Sequence, residues 1–171
     1  MEHNMIAEKE LTQQVVTPDE LLKHWQGHRS LTRRVIEAFP EEALFAFSIG
    51  GMRTFAEILG ELTDLAGDGI RGIATGEWKA FDDLNHTAGK TTISTRQQIL
   101  DSWDEASRML DIFFPQIALE RFHDTVLAFG QYEGSIYSTV LYFIDNEIHH
   151  RGQGYVYLRA LGITPPPFYE R

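Results

Sequence analysis

The stretch that decides the fold is residues 134–162, GSIYSTVLYFIDNEIHHRGQGYVYLRALG. Its apolar residues recur every three or four positions, the spacing of one face of an α-helix. They are Tyr137, Val140, Leu141, Ile144, Ile148, Tyr155 and Leu158. Gly162 suits the position just after a helix, and the prolines at 165–167 prevent continuation. The stretch therefore predicts a long C-terminal helix that buries one face against other helices.

Three more amphipathic segments precede it. In the first, Thr17-Pro18-Asp19-Glu20 has the pattern of a capping box and Pro40 stops the helix. The second runs from about Met52 to Thr75, and the third starts at Ser94 or Thr95 and stops at Pro115. Four such segments predict an all-α four-helix bundle.

The connections between these helices are long. Residues 82–92 are polar and predict a loop, whereas residues 116–133 predict an irregular crossover that includes two short extended pieces. No internal repeat or linker divides the chain. We therefore predict one domain over residues 1–171, with residues 1–16 and 164–171 as peripheral tails.

Composition excludes several classes of function. The 171 residues are 43% hydrophobic, enough for a core, and include no cysteine, which excludes disulfides, thiolate metal sites and a cysteine nucleophile. The net charge of -10 disfavours nucleic-acid binding. Residues 1–14 lack the apolar run of a signal peptide, and no stretch is long and apolar enough to span a membrane. We expect a cytoplasmic protein that binds neither nucleic acid nor membranes.

The last helix carries the densest polar cluster of the chain. On a helical wheel Glu147 and Arg151 fall inside the apolar arc, four residues apart, so they can form an ion pair. That pair either fixes the register of the helix or orients a neighbouring site. Asn146 and His150 lie at the edge of the arc with the same spacing, which suits two ligands of one ion.

Two other helices carry polar residues at helical spacing. Glu57, Glu61, Asp64 and Asp68 form a stripe on the second helix that is mostly expected to be solvated, with Glu61 nearest the apolar arc. On the first helix, His24 and His28 are four residues apart on the apolar side. Such a pair can bind a transition metal, but two partly buried histidines with protein partners are the more common case.

Three segments resemble the DinB-like (DinB/YfiT) family. They are Asn146-Glu147-Ile148-His149-His150-Arg151-Gly152-Gln153 with its flanks, the Gly51–Gly60 entry to the second helix, and Phe129-Gly130-Gln131-Tyr132-Glu133. The resemblance implies a four-helix bundle with long crossover connections. It also implies a homodimer and a divalent metal, nickel or zinc, near one end of the bundle.

In that family three histidines usually hold the metal, one on the second helix and two on the last. The matching positions here are Glu61, Asn146 and His150, so only one imidazole is kept and the metal site is degenerate. His28 (or His24) is a candidate for an additional nitrogen ligand, and Glu147 and Arg151 are candidates for residues that orient the ligands. Glu61 or Glu147 would then serve as a base.

Three functions remain open at this stage. The first is a divalent-metal-dependent transferase or hydrolase that acts on an unassigned substrate. The second is a metal-free binding or structural bundle that has lost catalysis and has a cavity for a small molecule. The third is a dimer-forming interaction protein that uses the Pro-rich tail, with Phe168 and Tyr169 as anchors.

Overall fold

The computed structural model describes residues 15–88 and 92–171. The helices in those residues are α1 (Pro18–Ala38), α2 (Glu41–Ala46), α3 (Phe55–Thr75), α4 (Asn85–Ala88), α5 (Arg96–Phe113) and α6 (Ile136–Ala160). The four long ones, α1, α3, α5 and α6, correspond to the four predicted segments, so the all-α bundle is confirmed. Of the predicted N-terminal tail, residues 1–14 lie outside the described part.

The bundle has a crossed connectivity. Helix α1 packs against α5 and α6, and helix α3 packs against the same two. Consequently α1 lies diagonally opposite α3, and α5 lies diagonally opposite α6. The chain crosses the bundle diagonally between α1 and α3 and again between α5 and α6, and this arrangement brings α3 and α6 side by side.

Capping boxes start three of the long helices. The Thr17 hydroxyl accepts the backbone N–H of Glu20, and the Glu20 carboxylate accepts the Thr17 N–H in return. Thr54 with Glu57 and Thr95 with Gln98 repeat this arrangement. Helix α3 therefore begins at Phe55, three residues later than the predicted Met52, because the Thr54–Glu57 box fixes its first turn.

The crossover before α6 contains the two predicted extended pieces, and they pair as a β-hairpin, which was not predicted. Strand β1 (Thr125–Ala128) pairs antiparallel with β2 (Tyr132–Ser135). Phe129 and Gly130 turn the chain with φ angles of 54° and 73°. The predicted loop at 82–92 is wrong in part, because its described residues include the end of a 3-10 turn (Phe81–Asp83) and helix α4.

Two apolar clusters fill the bundle. One, around Trp25, Ile70, Phe114 and Phe143, lies under the hairpin and the crossover. The other, around Phe39, Phe55, Trp103 and Tyr157, fills the remaining part of the bundle. In the residues that the structure describes, no helix has the length and apolar character needed to cross a lipid bilayer.

The C-terminal tail lies on its own bundle. The Tyr155 hydroxyl donates to the carbonyl of Pro166 at 2.8 Å, and Arg34 on α1 contacts the carbonyl and the carboxylate of Glu170. Phe168 and Tyr169 remain exposed. The tail therefore closes over α1 and α6, and its two aromatic rings are free to contact other molecules.

Candidate functional site

Glu61, Asn146 and His150 form a cluster between α3 and α6. The Glu61 carboxylate accepts a hydrogen bond from the Asn146 amide, with 2.9 Å between Nδ2 and Oε1. The same oxygen lies 3.5 Å from Nε2 of His150. The structure thus brings together the three residues that the resemblance placed at the metal position. They meet because α3 and α6 are neighbours in the bundle.

Arg53 completes this cluster, although the sequence analysis did not single it out. It precedes the capping box of α3, and its Nη2 lies 2.7 Å from Oε2 of Glu61. The Glu61 side chain is 17% exposed and the Arg53 side chain 43%, so the pair lies at the edge of the bundle. Both oxygens of the Glu61 carboxylate therefore face N–H groups.

The protonation of Glu61 and His150 follows from these contacts. Burial raises the pKa of Glu61, but hydrogen bonds from His150, Asn146 and Arg53 outweigh it and hold that pKa below its usual range. Burial lowers the pKa of His150, whereas Glu61 and Gln153 outweigh this and raise it. His150 Nδ1 faces Oε1 of Gln153 at 2.8 Å, so both ring nitrogens face oxygens and the protonated ring is favoured.

These contacts do not fit a divalent metal. A metal ligand must present a lone pair, and a histidine ligand must be neutral. Here three N–H groups converge on one carboxylate, which is the electrostatic opposite of three lone pairs around a cation. A metal would have to displace Arg53 and compete with its charge. Among the described residues, no group of three or more His, Asp or Glu side chains is placed to hold a metal ion.

Glu147 and Arg151 are buried, as predicted, but face α1 rather than this cluster. Glu147 Oε1 accepts the Thr32 hydroxyl at 2.6 Å and lies 3.8 Å from Nη1 of Arg151. Glu147 Oε2 lies 3.6 Å from Nη1 of Arg29. Within the described chain, neither Glu147 nor Arg151 hydrogen-bonds to Glu61, Asn146 or His150. Their contacts support the reading as a structural ion pair.

His28 is not brought to the Glu61 cluster. Its Nδ1 contacts Nη2 of Arg151 at 3.0 Å, and its Nε2 contacts His24 at 3.1 Å and Arg171 at 3.0 Å. Burial, aided by these cationic neighbours, lowers the pKa of His28 to about 3. His28 thus lies as a neutral ring in the α1–α6 interface, beside the guanidinium groups of Arg151 and Arg171. It is far from Glu61 because α1 is diagonal to α3. His24, expected on the apolar side, is exposed.

A cavity of about 660 Å³ opens beside Glu61 and Arg53. Its deep wall is buried and apolar, with Leu65, Phe129 and Phe143 among its residues. Phe81, Tyr132 and Tyr142 add further aromatic rings nearer the surface. Its volume is typical of pockets that hold small organic molecules, which range from about 300 to 1,000 Å³.

Gly69 shapes the deep wall of this cavity. A Cβ atom at this position would lie 2.7 Å from Cε2 of Phe143 and 3.4 Å from Cζ of Phe129. The first distance is far shorter than a normal carbon–carbon contact. Phe143 can therefore pack directly against the backbone of α3 only because residue 69 has no side chain.

His86 also lines this cavity and is held by a buried carboxylate. Nδ1 of His86 on α4 lies 2.8 Å from Oδ2 of Asp64, and the backbone N–H of His86 donates to that oxygen at 2.9 Å. Asn85 donates to the other oxygen, Oδ1. Asp64 was expected on a mostly solvated stripe but is only 4% exposed. The sequence analysis missed this pair because it assigned residues 82–92 to a loop.

The comparisons with known proteins give the family. The DinB family model matches residues 9–171 of the chain. A DinB-like protein from Bacillus subtilis has a similar structure, with a TM-score of 0.66, 18% sequence identity, and coverage of 89% of this chain and 98% of that one.

A DinB-like protein from Bacillus cereus gives a TM-score of 0.64 and 17% identity, with coverage of 88% and 97%. At these identities the two structures are evidence for the fold alone. Among curated proteins none matches this chain. The family match over nearly the whole sequence shows that the chain belongs to the DinB family.

Proposed function

We propose that the protein binds a small organic molecule in the cavity beside Glu61, and that it does so without a metal. The observation that carries the proposal is the pairing of a buried aromatic wall with a polar rim in one opening of about 660 Å³. Apolar walls with a few placed polar groups are the usual form of a small-molecule site.

The polar rim is organised before any ligand arrives. The Glu61 carboxylate is held by Arg53, Asn146 and His150, so it neither needs a metal nor leaves a buried charge unpaired. Because the cluster is already satisfied, a ligand can enter without a large reorganisation of the rim. Preorganisation of this kind lowers the free-energy cost of binding.

The proposal is tested by titrating the protein with N-phenyl-1-naphthylamine, a neutral apolar dye whose fluorescence rises in apolar surroundings. We expect saturable binding at one site, unchanged by EDTA. Ser138→Trp places an indole at the cavity wall, where Ser138 is an exposed lining residue, and should weaken binding at least about tenfold.

Ser102→Trp is the matched control. Ser102 lines a second cavity of about 370 Å³, which shares Arg53 and His86 with the first. Because Ser102 itself does not line the larger cavity, this variant should bind the dye normally. Circular dichroism and thermal melting establish that both variants are folded. Absence of saturable binding by the folded protein, or equal binding by Ser138→Trp, would contradict the proposal.

The nickel- or zinc-dependent transferase or hydrolase stays the second candidate. The observation in its favour is that Glu61, Asn146 and His150 converge, and the observation against it is the arrangement of N–H groups around Glu61. Calorimetric titration of chelator-treated, folded protein with nickel and zinc separates the two. Micromolar binding at one ion per chain, lost in His150→Ala, would overturn the metal-free proposal.

The homodimer implied by the resemblance also stays a proposal. Phe168 and Tyr169 at the end of the tail are exposed and available to a second copy. Light scattering on the full chain and on a variant truncated after residue 163 tests whether the tail holds a dimer. A monomeric mass for the full chain would remove both the dimer and the interaction function of the tail.

A further inference from the structure

The charges around the cavity are not balanced. Arg53 and Glu61 neutralise each other at 2.7 Å. Glu133, at the second position of β2, also lines the cavity and is exposed. In the described part of the chain its carboxylate has neither an ion pair nor a hydrogen bond. Because Arg53 and Glu61 cancel each other, Glu133 gives the cavity one negative charge that no described cation balances.

His86 adds an unused acceptor to the same cavity. An ionised carboxylate only accepts hydrogen bonds, so Nδ1 of His86, 2.8 Å from Asp64, carries the ring proton. When the ring is neutral, Nε2 is a lone-pair acceptor, and no described residue donates to it. The His86 side chain is only 10% exposed.

His86 lines this cavity and also the smaller cavity between α3 and α5. In the described residues, the buried polar side-chain atoms without a partner are Nε1 of Trp25 and Nη1 of Arg29. Nε2 of His86 is not one of them, so it keeps some contact with solvent, and His86 is a lining residue of the cavity. Asp64 thus orients a ring nitrogen that has no described protein partner and that an incoming donor can use.

Aromatic rings line the cavity together with His86 and Glu133. The Phe81 ring centroid is 5.9 Å from that of His86 and 5.8 Å from that of Tyr132. Tyr132 and Tyr142 line the same opening as Glu133. Aromatic faces attract cations through their quadrupoles, most strongly where water is partly excluded. Acceptors and rings together favour a ligand that is both a cation and an N–H donor.

We propose that the ligand of this cavity is an organic amine, bound as its ammonium form with an apolar body. This inference rests on the small-molecule function proposed above and names the chemical class of its ligand. The ammonium group donates to the Glu133 carboxylate and to Nε2 of His86, while its hydrocarbon part packs against the wall formed by Leu65, Phe129 and Phe143. The net charge of -10 draws such cations toward the protein.

Three probes of matched size test the charge preference by calorimetry in low salt. They are 2-phenylethylammonium, 2-phenylethanol and 3-phenylpropanoate. We expect the ammonium to bind about tenfold more tightly than the alcohol, since a cation–aromatic contact and a partly exposed ion pair each contribute a few-fold. The carboxylate should bind least. Added salt should weaken the ammonium selectively.

Two variants test the named residues. Glu133→Gln should weaken binding of the ammonium about three- to fivefold and leave binding of the alcohol unchanged. Glu120→Gln is its control, because Glu120 is likewise exposed and without a partner in the described residues but lies outside the cavity. Asp64→Asn allows either ring nitrogen of His86 to carry the proton and should therefore also weaken binding of the ammonium. Thermal melting establishes that this variant is folded.

The outcomes separate the two proposals. If the naphthylamine dye binds in the cavity but the alcohol or the carboxylate binds as tightly as the ammonium, the amine inference is wrong and the small-molecule function stands. An ammonium affinity unaffected by Glu133→Gln also overturns the amine site. If neither the dye nor any probe binds the folded protein, the small-molecule function itself fails.

Discussion

Helix α6 carries two polar pairs with the same spacing, one residue out of phase, and they lie in different environments. Asn146 and His150 face α3 and contact Glu61, which lies at the edge of the bundle beside the cavity. Glu147 and Arg151 face α1, where Thr32 contacts both and Arg29 adds a second cation to Glu147. A rotation of about 100° around the helix separates a cavity-side cluster from a core cluster.

The core cluster is fully enclosed. Arg29 is 1% exposed and Glu147 2%. The Arg29 guanidinium also lies over the Trp103 ring, 3.3 Å from its centroid, and donates to the Trp103 carbonyl and the Ser107 hydroxyl. These contacts tie α1 to α5 and α6. We infer that the core cluster fixes how the helices pack, whereas the Glu61 cluster borders the ligand site.

The largest expected difference between the two clusters is in stability. Glu147→Gln removes the carboxylate that faces both Arg29 and Arg151, and in the described chain no other carboxylate lies within ion-pair distance of either buried cation. We expect a loss of about 3–5 kcal/mol in the free energy of unfolding. Glu61→Gln, its counterpart at the edge, should cost about 1–2 kcal/mol because Arg53 can turn to water. Urea unfolding at pH 7 measures both, and equal losses would remove the distinction.

The second expected difference is in the response to acid. The folded pKa of Glu61 lies below its unfolded value of about 4.3, so its contribution to stability is present above that pH and is lost as pH falls below it. Wild type should therefore lose more stability than Glu61→Gln between pH 5 and pH 3. Thermal melts across this range give the loss of stability for each protein. An equal loss in wild type and Glu61→Gln would show that the contacts of Glu61 do not stabilise the fold.

The smallest expected effect is on the titration of His150. Its raised pKa means that its stabilising contribution is complete below about pH 6.5 and is lost as pH rises through the folded value. NMR of the ring protons should give His150 a pKa above the ordinary histidine value in wild type and a lower one in Glu61→Gln. No change in the His150 titration would show that Glu61 does not act on it.

Local sequence patterns predicted the helices well because the determinants are short-range. Thr17, Thr54 and Thr95 each stand three residues before a Glu or Gln that completes the cap. The Thr54–Glu57 box was present in the sequence and would have given the correct start of α3. Periodicity did not predict the order of helices around the bundle, since it identifies buried faces but not the partner of each face. The long crossover connections were predicted from the family resemblance.

The site was predicted in part for the same reason. Glu61, Asn146 and His150 came from the family pattern, and they do meet. Arg53 was missed because it lies outside the periodic helix and is brought to Glu61 only by the turn into α3. His86 and Asp64 are 22 positions apart, and nothing local links them. Tyr137 and Ile148 were placed on the apolar arc of the last helix but are 49% and 38% exposed.

The absence of a side chain at Gly69 helps to set the depth of the cavity. Since Phe143 rests on that backbone, a methyl group there would push the ring outward and shorten the space available to a guest molecule. Residue 69 would then select ligands by length without touching them. In relatives of this protein, the side chain at this one position is a simple place to look for a change in the size of molecule accepted.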